Sequence, residues 1–166
     1  HRRPGRRMTL ELRQARRDDV PLVLSFIRRL ADYERLAHEV DATEEGVAAA
    51  LFAEHPHVFC VLAFWNGAPV GFAIWLYNFS TFRGRHGIWL EDLFVEPDHR
   101  GRGIGKELLK YLARRCRSEG LPRLQWWVLD WNEPSIAFYR KLGAELMADW
   151  AVYRVSGPAL DRLAGD

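Results

Sequence analysis

Between Trp89 and Leu109 the sequence runs WLEDLFVEPDHRGRGIGKELL. An apolar stretch carrying an acidic pair, Glu91 and Asp92, ends at Val95. Glu96, Pro97 and Asp98 make a turn, and Arg100-Gly101-Arg102-Gly103-Ile104-Gly105 then opens into a pattern of helical period. A strand, a glycine-rich turn and a helix in that order restrict the chain to folds that mix sheet and helix. The same order sets a row of backbone N–H groups at the positive end of a helix dipole, an arrangement that attracts phosphate. A phosphorylated cofactor is the implied ligand, and the acidic pair lies just upstream on the same strand.

Spacing narrows the kind of phosphate loop. The nucleotide-binding loop needs a Ser or Thr after its Gly-Lys, and here Gly105-Lys106 is followed by Glu107. The dinucleotide fingerprint needs a third glycine where this chain has Lys106, and it belongs on the first strand. The pattern R-x-x-G-x-G remains, read at Arg100, Gly103 and Gly105, with Arg102 and Lys106 adding positive charge. Glycines at a strand–helix turn can also serve tight packing alone.

The rest of the chain supplies the setting. Thr9 to Ala15 alternates as a strand, and Asp18 is placed to cap a helix reaching about Leu36. A second helix starts at Thr43 and runs to about Ala53. Strands are expected over Val58 to Trp65 and Val70 to Phe79, joined at the hairpin signal Asn66-Gly67. Ile88 to Val95 is the next strand, and Gly103 to Glu119 a helix stopped by Gly120. Leu124 to Trp131 reads as a strand, Glu133 to Leu142 as a short helix, Met147 to Val155 as a last strand and Pro158 to Leu163 as a helical tail. The order βααβββαβαβ implies an α/β fold with a mixed sheet covered by helices on both faces.

Composition excludes several classes. A net charge of +2 is too balanced to argue for nucleic acid from the whole chain. Residues 1–7 hold four arginines and are expected to be a disordered leader, or added residues ahead of a native start at Met8; residues 8–166 then make one domain. No apolar stretch approaches the length of a membrane span. Cys60, in an apolar strand, and Cys116, late in a helix, are expected to be free thiols in a reducing compartment, which points to the cytoplasm. His55 and His57 lack a convincing set of metal-ligating partners, so no metal is expected.

The loop R-x-x-G-x-G after a strand ending in Val95 resembles the acetyl-CoA pyrophosphate loop of the GCN5-related N-acetyltransferase (GNAT) family. The stretch Val128-Leu129-Asp130-Trp131-Asn132-Glu133-Pro134-Ser135-Ile136-Ala137-Phe138-Tyr139, followed by Lys141-Leu142-Gly143-Ala144, is similar to that family's later strand, Asn turn and short helix. The likeness covers about Met8 to Leu163. It is closer to the diamine acetyltransferase branch, which includes polyamine and thialysine enzymes, with Leu30-Ala31-Asp32-Tyr33-Glu34 and Glu54-His55-Pro56 as further counterparts.

The resemblance implies a GNAT acyl-CoA N-acyltransferase fold in which the central mixed sheet has a splayed strand pair. Acetyl-CoA would lie along Leu93, Phe94 and Val95, its pyrophosphate on Arg100, Gly101, Arg102, Gly103, Ile104, Gly105 and Lys106, and Asn132 and Ser135 beside the pantetheine. Tyr139 would be the general acid at the CoA sulfur. Glu91 would bind the amine or take its proton, and Tyr33, Glu34, Asp92 and Trp126 would line the substrate side. Alternation along the strand sets Glu91 and Asp92 on opposite faces, and Asp92 could instead be structural.

Arg83 and Arg85, in the loop before the acidic pair, disfavour a long polycation by like charge. A small primary amine that also carries a carboxylate, such as a thialysine- or lysine-like molecule, is therefore favoured over spermidine or spermine. An acyl-CoA-binding regulatory module without turnover is the alternative of another class. The resemblance also implies a homodimer, with the last strand and early helices as its interface. Neither nucleic acid nor membrane is an expected partner.

Overall fold

The computed structural model describes residues 9–165. They fall into two compact units, one running to Trp127 and the other beginning at Val128. The arginine-rich residues 1–7 lie outside the described residues.

The first unit contains β1 (Leu10–Gln14), α1 (Val20–Tyr33), α2 (Glu44–Leu51), β2 (Val58–Trp65), β3 (Ala68–Ser80), β4 (Arg85–Val95), α3 (Ile104–Glu119) and β5 (Leu124–Gln125). The strands form one sheet in sequence order. The first three pairings are antiparallel, and β4 with β5 is parallel. The mixed sheet and its flanking helices follow the sequence pattern, with some ends moved. Asp19, not Asp18, sits at the start of α1, its carboxylate held by Arg13 and by the Arg16 N–H, both at 2.7 Å. Helix α1 stops at Tyr33 because Arg35 turns left-handed, with φ 61°. Thr43 caps α2 by accepting the Gly46 N–H at 3.0 Å, and α2 ends at Leu51. Asn66 and Gly67 both take positive φ, as the tight β2–β3 hairpin requires.

Alternation along the strands sorts the core into two layers. Cys60, Leu62, Phe72, Ile74 and Phe94 face α1 and α2, where they pack with Val23 and Phe26. Trp75 is on the opposite face, under α3, whose Arg115 guanidinium lies 4.9 Å from its ring. Ile104, Leu108 and Leu112 give α3 its buried stripe.

Two irregularities in β4 shape everything that follows. Ile74 is opposite Asp92 and Trp75 is opposite Leu90, so Glu91 is an extra residue with no partner: a β-bulge. On its other edge β4 pairs with β5 only through Ile88–Leu124 and Trp89–Gln125. Gly87 marks that short contact. A Cβ there would come within 2.8 Å of Asn78 Oδ1, and the Asn78 amide donates to Gln125 Oε1 at 3.2 Å, across the glycine. Beyond Trp89 the bulge bends β4 and the ladder stops. The strand expected over Leu124 to Trp131 is therefore only Leu124–Gln125.

The second unit contains α4 (Glu133–Lys141) and α5 (Gly157–Ala164). Asn132 caps α4 through a 3.4 Å bond from the Ser135 N–H, and Gly143 closes it at φ 91°. The last strand expected over Met147 to Val155 is not formed. A strand needs a neighbour for its backbone groups, and no described strand pairs with these residues. Leu146, Trp150, Val152 and Tyr153 stand exposed along the segment. Cys60 and Cys116 are both buried and unpaired. Among the described residues no helix is long and apolar enough to cross a membrane.

Gly71 gives a direct test of the β3–β4 pairing. A Cβ there would lie 2.5 Å from the Phe94 carbonyl oxygen, which is backbone and cannot swing aside. Gly71→Ala is expected to cost about 1–3 kcal/mol, lowering the thermal midpoint by several degrees. An unchanged melting curve would contradict this packing.

Candidate active site

After β4 the chain takes a single 3-10 turn over Pro97–His99 and passes through Gly101 and Gly103, with φ of 80° and 78°. These angles suit glycine and strain other residues. A Cβ at either position would meet nothing within 4 Å, so close packing does not explain the two glycines. Gly103 is the residue before α3 and makes no side-chain cap bond. The first N–H groups of α3, around Ile104, Gly105 and Lys106, therefore start a helix with no intrahelical acceptor. Open space above positive-φ glycines, an uncapped helix start and an exposed Lys106 suit a pyrophosphate.

The arginines of the loop are tied to the fold as well. The Arg100 Nε donates to the Val95 carbonyl at 3.1 Å, and its guanidinium lies 4.7 Å from the centre of the Tyr33 ring. Arg102 lies 5.4 Å from the Trp65 ring. An ion pair joins Arg29 of α1 to Glu96 at the end of β4. The Val95 carbonyl, on the stretch expected to meet a cofactor arm, accepts this bond and keeps a second lone pair. Phe94 is buried in the core, its ring 5.9 Å from that of Phe26, so only its backbone could face the gap. Among the described residues, the edge of β4 from Leu90 to Val95 has no strand beside it.

The bulge overturns the expectation that Glu91 and Asp92 face opposite ways. Asp92 is opposite Ile74, on the face that packs under α1 and α2. Trp89 is opposite Leu76, two residues along β3 and so on that same face. The Trp89 indole N–H donates to Glu91 Oε2 at 2.9 Å, which draws Glu91 to this side as well. Glu34, just beyond the end of α1, completes the group.

Electrostatics agrees with this placement. Burial, then the charges of Glu91 and Glu34, push the Asp92 carboxyl up to about 7. Burial also raises Glu34 above the usual carboxylate range. The Cys60 thiol is pushed up to about 12 by burial, with Asp19 and Asp92 adding to it. Tyr33, Glu34, Glu91 and Asp92 therefore gather beside the glycine loop, on the side of the sheet covered by α1.

Trp89 is the residue that sequence reasoning missed. Its signal was present: a hydrogen-bond donor two residues before Glu91 on one strand. Its ring also meets that of Trp127 edge-on at 5.7 Å, just where β5 leaves β4. Trp126 is half-buried in the same connection. Arg83 and Arg85 do not join the group. Six residues of strand separate Arg85 from Glu91, roughly 20 Å, and the Arg85 guanidinium reaches the Gly120 carbonyl at 3.5 Å. In the second unit, Asn132 is buried at the cap of α4, Ser135 is bonded to it, and Tyr139 is half-buried one turn further along, its ring 5.6 Å from Phe138.

A helix start with open N–H groups, next to a strand pair that parts beside three carboxylates, suits a phosphorylated carrier and a cationic group. Residues 24–144 match the Acetyltransferase (GNAT) family, and the chain belongs to that family. It is an N-acetyltransferase, and acetyl-CoA is the donor its family uses.

Over 165 aligned residues it is 36% identical to the thialysine N-epsilon-acetyltransferase of Bos taurus, spanning 93% of this chain and 96% of that one. It is 27% identical to an L-ornithine N5-acetyltransferase of Arabidopsis thaliana, over 96% and 90%. Among solved structures, an integron cassette protein from the mobile metagenome of V. cholerae superposes with a TM-score of 0.79 at 29% identity, covering 96% of this chain and 99% of that one.

The raised Asp92 carboxyl has a consequence for stability. Its folded value of about 7 lies above the unfolded 3.8, so the folded protein holds the proton more tightly between these limits. Stability from this group is intact below about pH 4 and is lost as pH rises through 7. Denaturant titrations of Asp92→Asn are expected to match the parent near pH 4 and to show a more stable variant at pH 8. The same difference at both pH values would contradict the assignment.

Proposed function

We propose that the protein acetylates the terminal amine of a small amino acid, a thialysine- or ornithine-like molecule, by direct transfer from acetyl-CoA. The observation that carries this reading is the convergence of Glu34, Glu91 and Asp92 beside the gap in the sheet. An amine arrives as an ammonium ion, and a carboxylate group of this kind attracts it and accepts hydrogen bonds from it. Relatives named for thialysine and ornithine support the amino-acid class. Acetyl-CoA supplies the activated acyl group. Gly101 to Lys106 would hold its pyrophosphate, the backbone at Leu93 and Phe94 its pantetheine, and Asn132 and Ser135 the region between.

Glu91 binds the ammonium. Tyr139 holds a proton on its Oη for the departing sulfur, a task that suits a phenol because it is ordinarily protonated at pH 7. Tyr33 braces the phosphate loop through Arg100, and Trp126 borders the substrate side. A homodimer is part of the proposal: exposed Leu146, Trp150, Val152 and Tyr153 offer an apolar surface that a second copy would cover. The free thiols Cys60 and Cys116 fit a cytoplasmic setting.

A polyamine acceptor is the second reading, favoured by one observation. The Arg83–Arg85 hairpin stands a strand's length from the carboxylates, so repulsion there is weaker than the sequence suggested.

A panel of thialysine, ornithine, lysine and spermidine, read by thiol release from acetyl-CoA, separates the two readings. The amino acids are expected to give the higher kcat/KM; a clear preference for spermidine would favour the second. Tyr139→Phe should lower kcat about 10²-fold or more with CoA affinity unchanged. An unchanged rate removes Tyr139 from the chemistry, and a parent protein that binds CoA without turnover would be a regulatory module.

A further inference from the structure

Helices α1 and α2 do not close completely over the sheet. A cavity of about 260 Å³ lies between them, walled by Ile27 of α1, Val47, Ala50 and Leu51 of α2, Val58 of β2 and Ile74 of β3. Thr43 also lines it, but its hydroxyl is taken by the Gly46 N–H at 3.0 Å. Among the described residues no charged side chain lines it. An apolar cavity of roughly 150 Å³ is large enough to bind benzene, so this one has room for a ring or a short alkyl chain.

Ile74 gives the cavity its direction. In the β3–β4 ladder it stands opposite Asp92, the two side chains roughly 5 Å apart on one face. Its other neighbour is Cys60, and Val58 is two residues along from Cys60, so the apolar wall continues across β2. Helix α1 makes the same connection. Ile27 and Glu34 are seven residues apart, two turns and roughly 10 Å, on one stripe. The Glu34 N–H still bonds the Leu30 carbonyl at 2.9 Å, so the helical turn carries through to it. Carboxylates thus stand at one end of a short path, and an apolar cavity under α2 at the other. A molecule that matches both ends is cationic at one end and apolar at the other.

We propose that the cavity is a second compartment of the acceptor site, and that the enzyme also acetylates primary amines whose nitrogen is joined by a short chain to an apolar body. The proposal rests on amine acetylation beside Glu34, Glu91 and Asp92, and adds a second class of acceptor to it. The ammonium meets the carboxylates, and the apolar body leaves water for the space over Ile74. The amine nitrogen bonds the acetyl carbon as the thioester carbon–sulfur bond breaks. The ammonium gives up two protons, one to the departing sulfur and one to solvent. The carboxylate of an amino acid has no partner in the cavity, so its head stays outside and draws no affinity from it.

The test measures kcat/KM by thiol release for propylamine, butylamine, pentylamine and hexylamine beside ornithine, in the parent, Ala50→Leu and Ala50→Phe. Ala50 is exposed on α2, so a larger side chain there fills the cavity without entering the core. In the parent the alkyl series should climb about fourfold per methylene and level off once the cavity is full. Ala50→Leu should level off at a shorter chain. Ala50→Phe should be nearly flat, cutting the ratio of hexylamine to ornithine about 10-fold or more. Thermal melting and CoA binding show that each variant is folded. A series that is flat in the parent, or equally steep in Ala50→Phe, overturns the inference, and turnover of ornithine then leaves the proposed function standing. A parent that acetylates the alkylamines in this graded way but no amino acid supports the cavity and overturns the amino-acid reading. A parent inactive toward every amine overturns both.

Discussion

The antiparallel pairing of β3 with β4, and the one residue too many in β4, is the constraint on which the rest of the site depends. An extra residue in a ladder leaves one side chain without an opposite number and bends the strand that carries it. Here the extra residue is Glu91. It turns an alternating strand, which would split its acidic pair between two faces, into one that offers both carboxylates to the same face. The same bend ends the β4–β5 ladder after two pairs. One irregularity therefore makes both the gap beside β4 and the charge beside the gap.

Such a device is costly to maintain, and the surroundings hold it. Asp92 loses solvation and sits near two like charges, each unfavourable for its ionised form. Gly71 and Gly87 let backbone and amide approach β4 where any side chain would collide. The Phe26, Phe72 and Phe94 rings pack on the same face as Asp92, so a dense apolar layer borders a polar site. Unfavourable charge on one strand is tolerated where the apolar packing around it is dense.

The sequence made much of this legible, and the parts that stayed hidden share a cause. Helices and the first four strands could be read because their periods are local, and the glycine loop because Gly101 and Gly103 have a local conformational reason. The facing of Glu91 and Asp92 could not, since a bulge belongs to the register between two strands and leaves no mark in the period of one. The short β5 and the missing strand over Met147 to Val155 are the same kind of fact. Both stretches have strand-like composition, yet a strand exists only where a neighbour completes its hydrogen bonds. Arg83 and Arg85 were close to the acidic pair in sequence, but an extended strand carries neighbours apart faster than any other element.

Arg100 shows what a motif letter can stand for. The first position of R-x-x-G-x-G invites reading as a charge aimed at phosphate, but its guanidinium is engaged from two sides, edge-on to the last carbonyl of β4 and face-on to Tyr33. A planar guanidinium donates in its own plane while its face lies on a ring, a division of labour that a compact ammonium does not have. The residue acts as a keystone between the strand's end and the first helix, and what the loop inherits from it is shape more than charge.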